Sequence, residues 1–261
     1  MTAMTDRDRQ QFAERKIDQF ARSKMSGMWP KLNKATLIEQ LRSRVRNPLC
    51  IDQGKQPFCG PASITFALAR KNPVRYVQIC RNIYQLGGFY GTTKWITASD
   101  SLQHQGGELN MPQLDWMVQA TLREAENRIF PVRAEAPELL RNLSGMTKPW
   151  EMKGWTQQVL QYANVESYPA YLGGDVEALE NADRAIAAGG VAFALVNADG
   201  LLLEKTPPIS YPSHWIVLLG NFKRDGDRFG FDAYSWARKQ SVICELSSLK
   251  KYLWDVVVGR P

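Results

Sequence analysis

The sequence predicts an α+β protein, with helices first and an antiparallel sheet in the C-terminal third. Near the N-terminus, Ala13, Ile17 and Phe20 recur at helical spacing with charged residues between them. After residue 190 the pattern changes to continuous apolar runs such as His214 to Gly220, which are typical of buried strands. Helices followed by consecutive antiparallel strands define the α+β class.

The first part of the chain is predicted to be helical, because apolar periodicity and capping residues occur together there. Thr36 and Glu39 have capping-box spacing, and Asn72-Pro73 is a typical helix start. The predicted helices cover residues 5–24, a stretch from Thr36, a stretch that begins near Cys59, and a stretch from Asn72-Pro73 to Gly87-Gly88.

The remainder is predicted to contain shorter helices and then strands. Prolines divide residues 88–172 into short pieces, of which residues 111–128 and 154–163 have helical character. The later predicted elements are a helix over 175–188, strands over 191–197, 214–220, 228–234 and 240–245, and a closing helix over 246–257. Asp225-Gly226-Asp227 is predicted to be the turn of a hairpin.

Positive charge is concentrated near the N-terminus. The chain has a net charge of +7, and residues 1–46 hold 11 lysines and arginines against five acidic residues. We therefore expect a basic helical N-terminal extension over residues 1–46 and a main domain over residues 47–261. The extension could be a solvated helical face, or it could meet an acidic partner or nucleic acid. It lacks the interleaved aromatic residues of a single-strand platform, so nucleic acid is not the expected partner.

Composition excludes several classes of protein. Hydrophobic residues make up 44% and charged residues 23%, which is ordinary globular usage and not that of a disordered chain. No apolar run approaches the roughly 20 residues of a membrane helix, and the polar stretch Met1 to Gln10 does not resemble a signal peptide. We therefore expect a cytoplasmic protein with no membrane partner and with free thiols. With only two histidines and no CxxC pair, no metal or other cofactor is expected.

The segment from Asp52 to Ser63 contains the strongest candidate for a catalytic nucleophile. Cys59 is predicted to open a helix, where unpaired N–H groups and the helix dipole favour the thiolate, which is the reactive form of cysteine. Gln53 lies in the preceding loop and could fold back, so that its amide donates to a tetrahedral oxyanion. The alternative for Cys59 alone is a buried cysteine of the core.

His214 is the candidate base, because a histidine that opens a buried strand has a fixed ring. The other histidine, His104, lies in a polar loop and is expected to be solvated. Asp232, on the next strand, could lie level with His214 and orient its ring. The alternatives are a structural histidine that binds backbone and an Asp232 that belongs to a strand-end turn.

These residues resemble the signatures of papain-like cysteine peptidases. The spacing from Gln53 to Cys59 matches the oxyanion glutamine and nucleophile of that superfamily, while Phe58-Cys-Gly-Pro-Ala62 and His214-Trp-Ile-Val are closer to the bacterial double-glycine leader peptidases. The resemblance covers three short windows. It departs from the plant enzymes in having Asp232 in place of asparagine, and Tyr234-Ser-Trp236 only partly resembles their Asn-Ser-Trp motif.

The resemblance implies a papain-like fold, with a helical half that carries Cys59 and a sheet that carries His214 and Asp232. It implies that Gln53 is the oxyanion donor, Cys59 the nucleophile, His214 the base and Asp232 the orienting acid. A protein would be the substrate, with cleavage after Gly-Gly as one form of this activity. Relatives of this kind also occur as toxin domains of secreted bacterial effectors, which implies delivery into a target cell and an immunity or inhibitor protein as partner.

Two other functions remain open at the level of sequence. A glutamine deamidase or a transglutaminase-like acyl transferase would use the same Cys, His and Asp in the same chain order. A basic binding module on the same scaffold would need none of these residues for catalysis.

Overall fold

The computed structural model describes residues 5–105, 110–129, 146–172, 174–207 and 209–261. Its elements are mixed α and β, and its strands pair antiparallel, which confirms the predicted α+β class. The chain divides into two compact units, Met1–Pro131 and Val132–Pro261, whereas the sequence-based division was placed after residue 46. Part of the proline-broken middle stretch, residues 130–145, lies outside the described residues.

The first unit is mainly helical. Its described helices are α1 (Asp6–Arg22), α2 (Lys34–Arg46), α3 (Cys59–Lys71), α4 (Pro73–Leu86), α5 (Asp100–Gln103) and α6 (Gln113–Ile129), with a 3-10 turn at Pro48–Cys50. Strands β1 (Gly88–Tyr90) and β2 (Trp95–Thr97) form an antiparallel hairpin. Every residue of α3 from Cys59 to Ala69 is buried, so α3 is the central helix of this unit.

Capping residues explain where these helices begin and end. Asn72 accepts a hydrogen bond from the Arg75 amide and Pro73 is the first residue of α4, as predicted. Helix α2 begins earlier than predicted, because the side chain of Asn33 accepts from the Thr36 amide and is therefore the cap. Gly87 ends α4 in the left-handed conformation, with φ of 72°.

Helices α1 and α2, which contain most of residues 1–46, belong to the core of the first unit. Ile17, Phe20, Leu37 and Leu41 are almost completely buried. Arg44 of α2 forms a buried ion pair with Asp115 of α6, with 2.8 Å between Nη2 and Oδ2. The described part of this segment is therefore packed against the rest of the unit.

The loop that leads to Cys59 is attached to the same ion pair. The amide of Asp52 donates to Asp115 Oδ2 over 3.1 Å, and Gln119 Nε2 donates to the Asp52 carbonyl over 2.9 Å. Asp115 thus accepts from both a guanidinium and a backbone amide, which satisfies a carboxylate that water does not reach.

The second unit is built on a six-stranded antiparallel sheet. Its strands are β3 (Asn164–Pro169), β4 (Val191–Val196), β5 (His214–Asp225), β6 (Arg228–Ser235), β7 (Arg238–Glu245) and β8 (Leu253–Arg260), in the order β3-β8-β4-β5-β6-β7. Its described helices are α7 (Pro149–Gln158), α8 (Asp175–Ala187), α9 (Ala198–Leu201) and α10 (Leu246–Tyr252), and a 3-10 turn covers Ala170–Leu172. Apolar residues of α8 share one core cluster with alternate residues of β4 and β5, so α8 covers one face of the sheet.

Two sequence predictions in this unit are wrong in detail. The predicted closing helix over 246–257 is a short helix, α10, followed by strand β8. The β-branched run Val256 to Val258 favours a strand, and β8 lies between β3 and β4 in the sheet. The predicted helix over 154–163 is also misplaced, because α7 begins at Pro149 and ends at Gln158.

Among the described residues, no helix is both long enough and apolar enough to cross a membrane.

We expect the substitution Asp115→Ala to lower the free energy of unfolding by about 3 kcal/mol, because it leaves the buried Arg44 guanidinium without its carboxylate. Urea denaturation measures this change. The control is Asp6→Ala, which removes an exposed ion pair with Arg9 and should leave the unfolding midpoint unchanged. Equal effects of the two substitutions would contradict the structural role of Asp115.

Candidate functional site

Cys59 is the first residue of the central helix α3, as the sequence predicted. The preceding residue, Phe58, is the N-cap and makes no side-chain capping bond. The positive end of the helix dipole therefore lies at Cys59, where it favours a negative charge. The side chain is largely covered, since Cys59 is 6% exposed.

The loop before Cys59 is a compact turn that holds the Gln53 side chain. The Gln53 amide Nε2 donates to the Gln56 carbonyl over 3.0 Å, and the Gln56 amide donates back to the Gln53 carbonyl over 3.2 Å. Because Nε2 carries two hydrogens, the bond to Gln56 uses only one of them. Gln53 therefore has a fixed amide that retains donor capacity.

Gly54 is required in this turn for two reasons. Its φ is +57°, a conformation that side chains disfavour, and an added Cβ would lie 2.8 Å from the Asn110 carbonyl oxygen. Phe58, at the other end of the loop, packs on Trp116 of α6 with ring centroids 5.8 Å apart. The loop is thus held at both ends by α6.

His214 is held by two residues of the turn between β6 and β7. Its Nε2 lies 2.8 Å from the Ser235 hydroxyl oxygen, and its ring stacks on the Trp236 ring with centroids 4.7 Å apart and planes 23° apart. His214 is the first residue of β5 and is 5% exposed. The ring therefore has one bonded nitrogen and one covered face.

The turn that supplies these contacts is strained. Ser235 pairs with Arg238, so Trp236 and Ala237 are the two central residues, with φ of 47° and 56°. A two-residue turn with positive φ at both positions normally contains Asn and Gly, and a bulky residue in this conformation is an outlier. Strain of this kind is typically retained at functional sites.

Burial keeps the imidazole of His214 neutral. It lowers the pKa of His214 from 6.5 to about 4, because the imidazolium would be removed from water. A neutral ring near pH 7 can accept a proton, which is what a general base does.

Asp232 does not lie beside His214, contrary to the sequence prediction. The β5–β6 hairpin closes at Asp225 and Arg228, and its register pairs Asp232 with Gly220, so Asp232 lies well along β5 from His214. Its carboxylate accepts hydrogen bonds from Lys239 Nζ at 2.8 Å and Ser241 Oγ at 2.6 Å, and further from Asn221 Nδ2. The bond from Lys239, then that from Ser241, lowers the pKa of Asp232.

Ser235 is the residue that sequence reasoning missed. The structure places its hydroxyl where the orienting acid was expected. The signal in the sequence was Tyr234-Ser-Trp236, whose partial likeness to Asn-Ser-Trp marks both residues that contact His214.

The predicted site residues belong to different units. Gln53 and Cys59 are in the first unit, and His214 and Asp232 are in the second. His104 is exposed, as predicted, and its Nδ1 lies 2.7 Å from the Asp100 carbonyl oxygen. Within the part of the chain that the structure describes, no group of three or more His, Cys, Asp or Glu side chains could hold a metal ion.

Comparisons with protein-family models, curated proteins and solved structures find no match for this chain. The assignment of function therefore depends on the residues and their geometry.

We expect the imidazole of His214 to remain neutral as the pH is lowered from 6.5 to about 4. The unfolded chain binds this proton more readily than the folded protein, so the contribution of His214 to stability falls as the pH drops through this range. Nitrogen-15 NMR of the His104→Asn variant, in which His214 is the single histidine, measures the titration directly. An imidazole that titrates near pH 6.5 would contradict the burial described above.

Proposed function

We propose that this protein is a cysteine peptidase of papain-like fold, in which Cys59 is the nucleophile and His214 the base. The observation that carries the proposal is the way His214 is held. A neutral, buried imidazole is bonded at one nitrogen by Ser235 and stacked on Trp236 in a strained turn. Such strain has a cost, and orientation of a base is a function that explains why it is retained.

The proposed reaction proceeds through an acyl-enzyme. The Cys59 thiol gives its proton to His214, and the sulfur forms a bond with the carbonyl carbon of the scissile peptide. As the tetrahedral intermediate collapses, the C–N bond breaks and His214 returns the proton to the leaving amine. Water, deprotonated by His214, then breaks the C–S bond and releases the acid and the free thiol.

The oxyanion donors in this proposal come from the loop and helix that hold Cys59. The Gln53 amide has one hydrogen bonded to Gln56, and its second hydrogen can donate to the oxyanion. The backbone N–H of Cys59 at the start of α3 would be the second donor. Donors aimed at a developing negative charge are among the largest contributions to catalysis.

The bond between His214 and Ser235 assigns roles to the two ring nitrogens. Because Nε2 is bonded to the hydroxyl, Nδ1 is the nitrogen that would take the thiol proton. In the required tautomer, Nε2–H donates to Ser235 Oγ. Once the proton has moved, the negative sulfur would favour the imidazolium and offset the burial that lowers the pKa of His214.

The proposed substrate is a protein. Three parts of the proposal rest on the resemblance alone: cleavage after Gly-Gly, delivery into a target cell and inhibition by an immunity protein. Deamidation of glutamine and acyl transfer begin with the same thioester chemistry, so the products distinguish them from hydrolysis of a peptide bond.

We expect the wild-type protein, incubated with a bacterial lysate, to create new protein N-termini that are absent with Cys59→Ala. N-terminal proteomics by mass spectrometry measures them and gives the cleavage motif. Cys50→Ala is the matched control and should cleave like wild type, since Cys50 is a free cysteine outside the proposed site. New termini with Cys59→Ala would remove the proposal, while glutamine-to-glutamate conversion or cross-links without new termini would replace peptidase by deamidase or acyl transferase.

We expect Ser235→Ala to lower kcat about tenfold with little change in KM, because loss of one hydrogen bond releases the His214 ring without touching the substrate. Steady-state kinetics on a peptide taken from the cleavage motif measures both constants. Ser241→Ala is the control, since its hydroxyl bonds to Asp232 and not to His214. A larger loss of kcat with Asp232→Asn than with Ser235→Ala would restore the triad that the sequence predicted.

A further inference from the structure

A cleft of about 350 Å³ lies in the first unit, between α1, α4 and β1. It contains none of the proposed catalytic residues. Its polar lining consists of three cations, two amides and a phenol: Lys16, Arg75, Arg81, Gln78, Asn82 and Tyr90. Among the described residues that line it, none is acidic.

The surrounding sequence is also free of acidic residues. Residues 53–99 contain six lysines and arginines and no aspartate or glutamate. The first unit as a whole has 19 lysines and arginines against 11 acidic residues, so it carries more than the entire net charge of +7. This charge would attract a polyanion over a distance.

The two acidic residues of α1 that flank Lys16 in the sequence do not neutralise the cleft. Glu14 and Asp18 each lie 2.6 Å from the Arg42 guanidinium of α2. They are one helical turn apart and share a face, whereas Lys16 projects from the opposite side of α1 into the cleft. No carboxylate of α1 therefore lines the described part of the cleft beside its cations.

Arg75 lines the cleft next to β1. Its guanidinium donates to the Tyr90 carbonyl over 3.4 Å, which places it beside the β1–β2 hairpin. Burial lowers the pKa of Arg75, because its guanidinium is partly removed from water.

Two exposed aromatic rings lie side by side on the β1–β2 hairpin, and one of them, Tyr90, lines the cleft. Tyr90 is 62% exposed and Trp95 is 45% exposed, and they are direct partners across the β1–β2 hairpin with ring centroids 6.1 Å apart. Large exposed rings beside cations provide stacking surfaces for bases. The interleaved aromatics that residues 1–46 lack are therefore supplied by the hairpin.

We propose that this cleft binds single-stranded nucleic acid, with phosphates at Lys16, Arg75 and Arg81 and with bases stacked separately on the exposed rings of Tyr90 and Trp95, whose planes are tilted by 55°. A groove of cations with an adjacent aromatic platform is the arrangement that single-strand binding proteins use. An acidic peptide would use the cations but would leave the two rings exposed.

The experiment measures binding of a short fluorescent oligothymidylate by anisotropy, in salt from about 50 to 200 mM. The Cys59→Ala variant of the whole 261-residue chain is used, so that binding is measured separately from turnover and either proposal can fail without the other. Three phosphate contacts predict a slope of log affinity against log salt of about −2. The variant Lys16→Gln/Arg75→Gln/Arg81→Gln should lose both the affinity and most of this slope, while Tyr90→Ala/Trp95→Ala should lose about tenfold in affinity with the slope kept.

The matched control is Lys223→Gln/Arg224→Gln/Lys250→Gln, which removes three exposed cations from the second unit and should bind like the parent. Circular dichroism verifies folding, and the single variant Arg81→Gln tests the cleft if the triple variant does not fold. An equal loss in the control would show that overall charge, not the cleft, binds the strand. Competition by polyglutamate or by thymidine monophosphate as strong as that by the oligonucleotide would replace the strand by an acidic peptide or a free nucleotide.

Discussion

The buried ion pair between Arg44 and Asp115 is the interaction on which the organisation of the first unit depends. A carboxylate removed from water is costly unless it is paired with a cation and hydrogen-bonded. Asp115 meets this requirement by binding Arg44 of α2 and the amide of Asp52, so one charge connects two helices to the start of the Cys59 loop. Gln119 completes the attachment through the Asp52 carbonyl. The position of the proposed nucleophile is thus a consequence of how the unit satisfies a buried charge.

In the second unit the corresponding constraint is the turn at Trp236 and Ala237. Strand pairing on both sides of the turn maintains its left-handed backbone, and the stack of Trp236 on His214 adds a compensating contact. The imidazole of His214 is buried under this stack, and its burial lowers the pKa of His214. The sheet and its turn therefore keep the imidazole neutral and oriented. The hydrogen bond described for the ring is to the Ser235 hydroxyl and not to a carboxylate.

The excess of positive charge lies in the first unit, whereas the proposed catalytic residues come from both units. The first unit has a large excess of cations, whereas the second has 14 lysines and arginines against 15 acidic residues. The basic character that the sequence places in residues 1–46 extends through residues 53–99, where it meets exposed aromatic rings. The proposed catalysis and the proposed strand binding therefore use separate residues. The net charge of the whole chain does not show that the excess of cations lies in the first unit.

The sequence by itself determined the local features of this protein: the helix that opens at Cys59, the cap at Asn72-Pro73 and the buried strand that starts at His214. These depend on residues within a few positions of one another, and periodicity and capping chemistry report them directly. Only the tertiary structure decided that Ser235 and not Asp232 contacts His214, because strand register is set by the position of the hairpin turn and by bulges within β5. It also decided where β8 lies, between β3 and β4, since both partners are strands that precede it by many residues. Contacts between distant residues leave no periodic signal in the sequence, so pairing and register had to come from the fold.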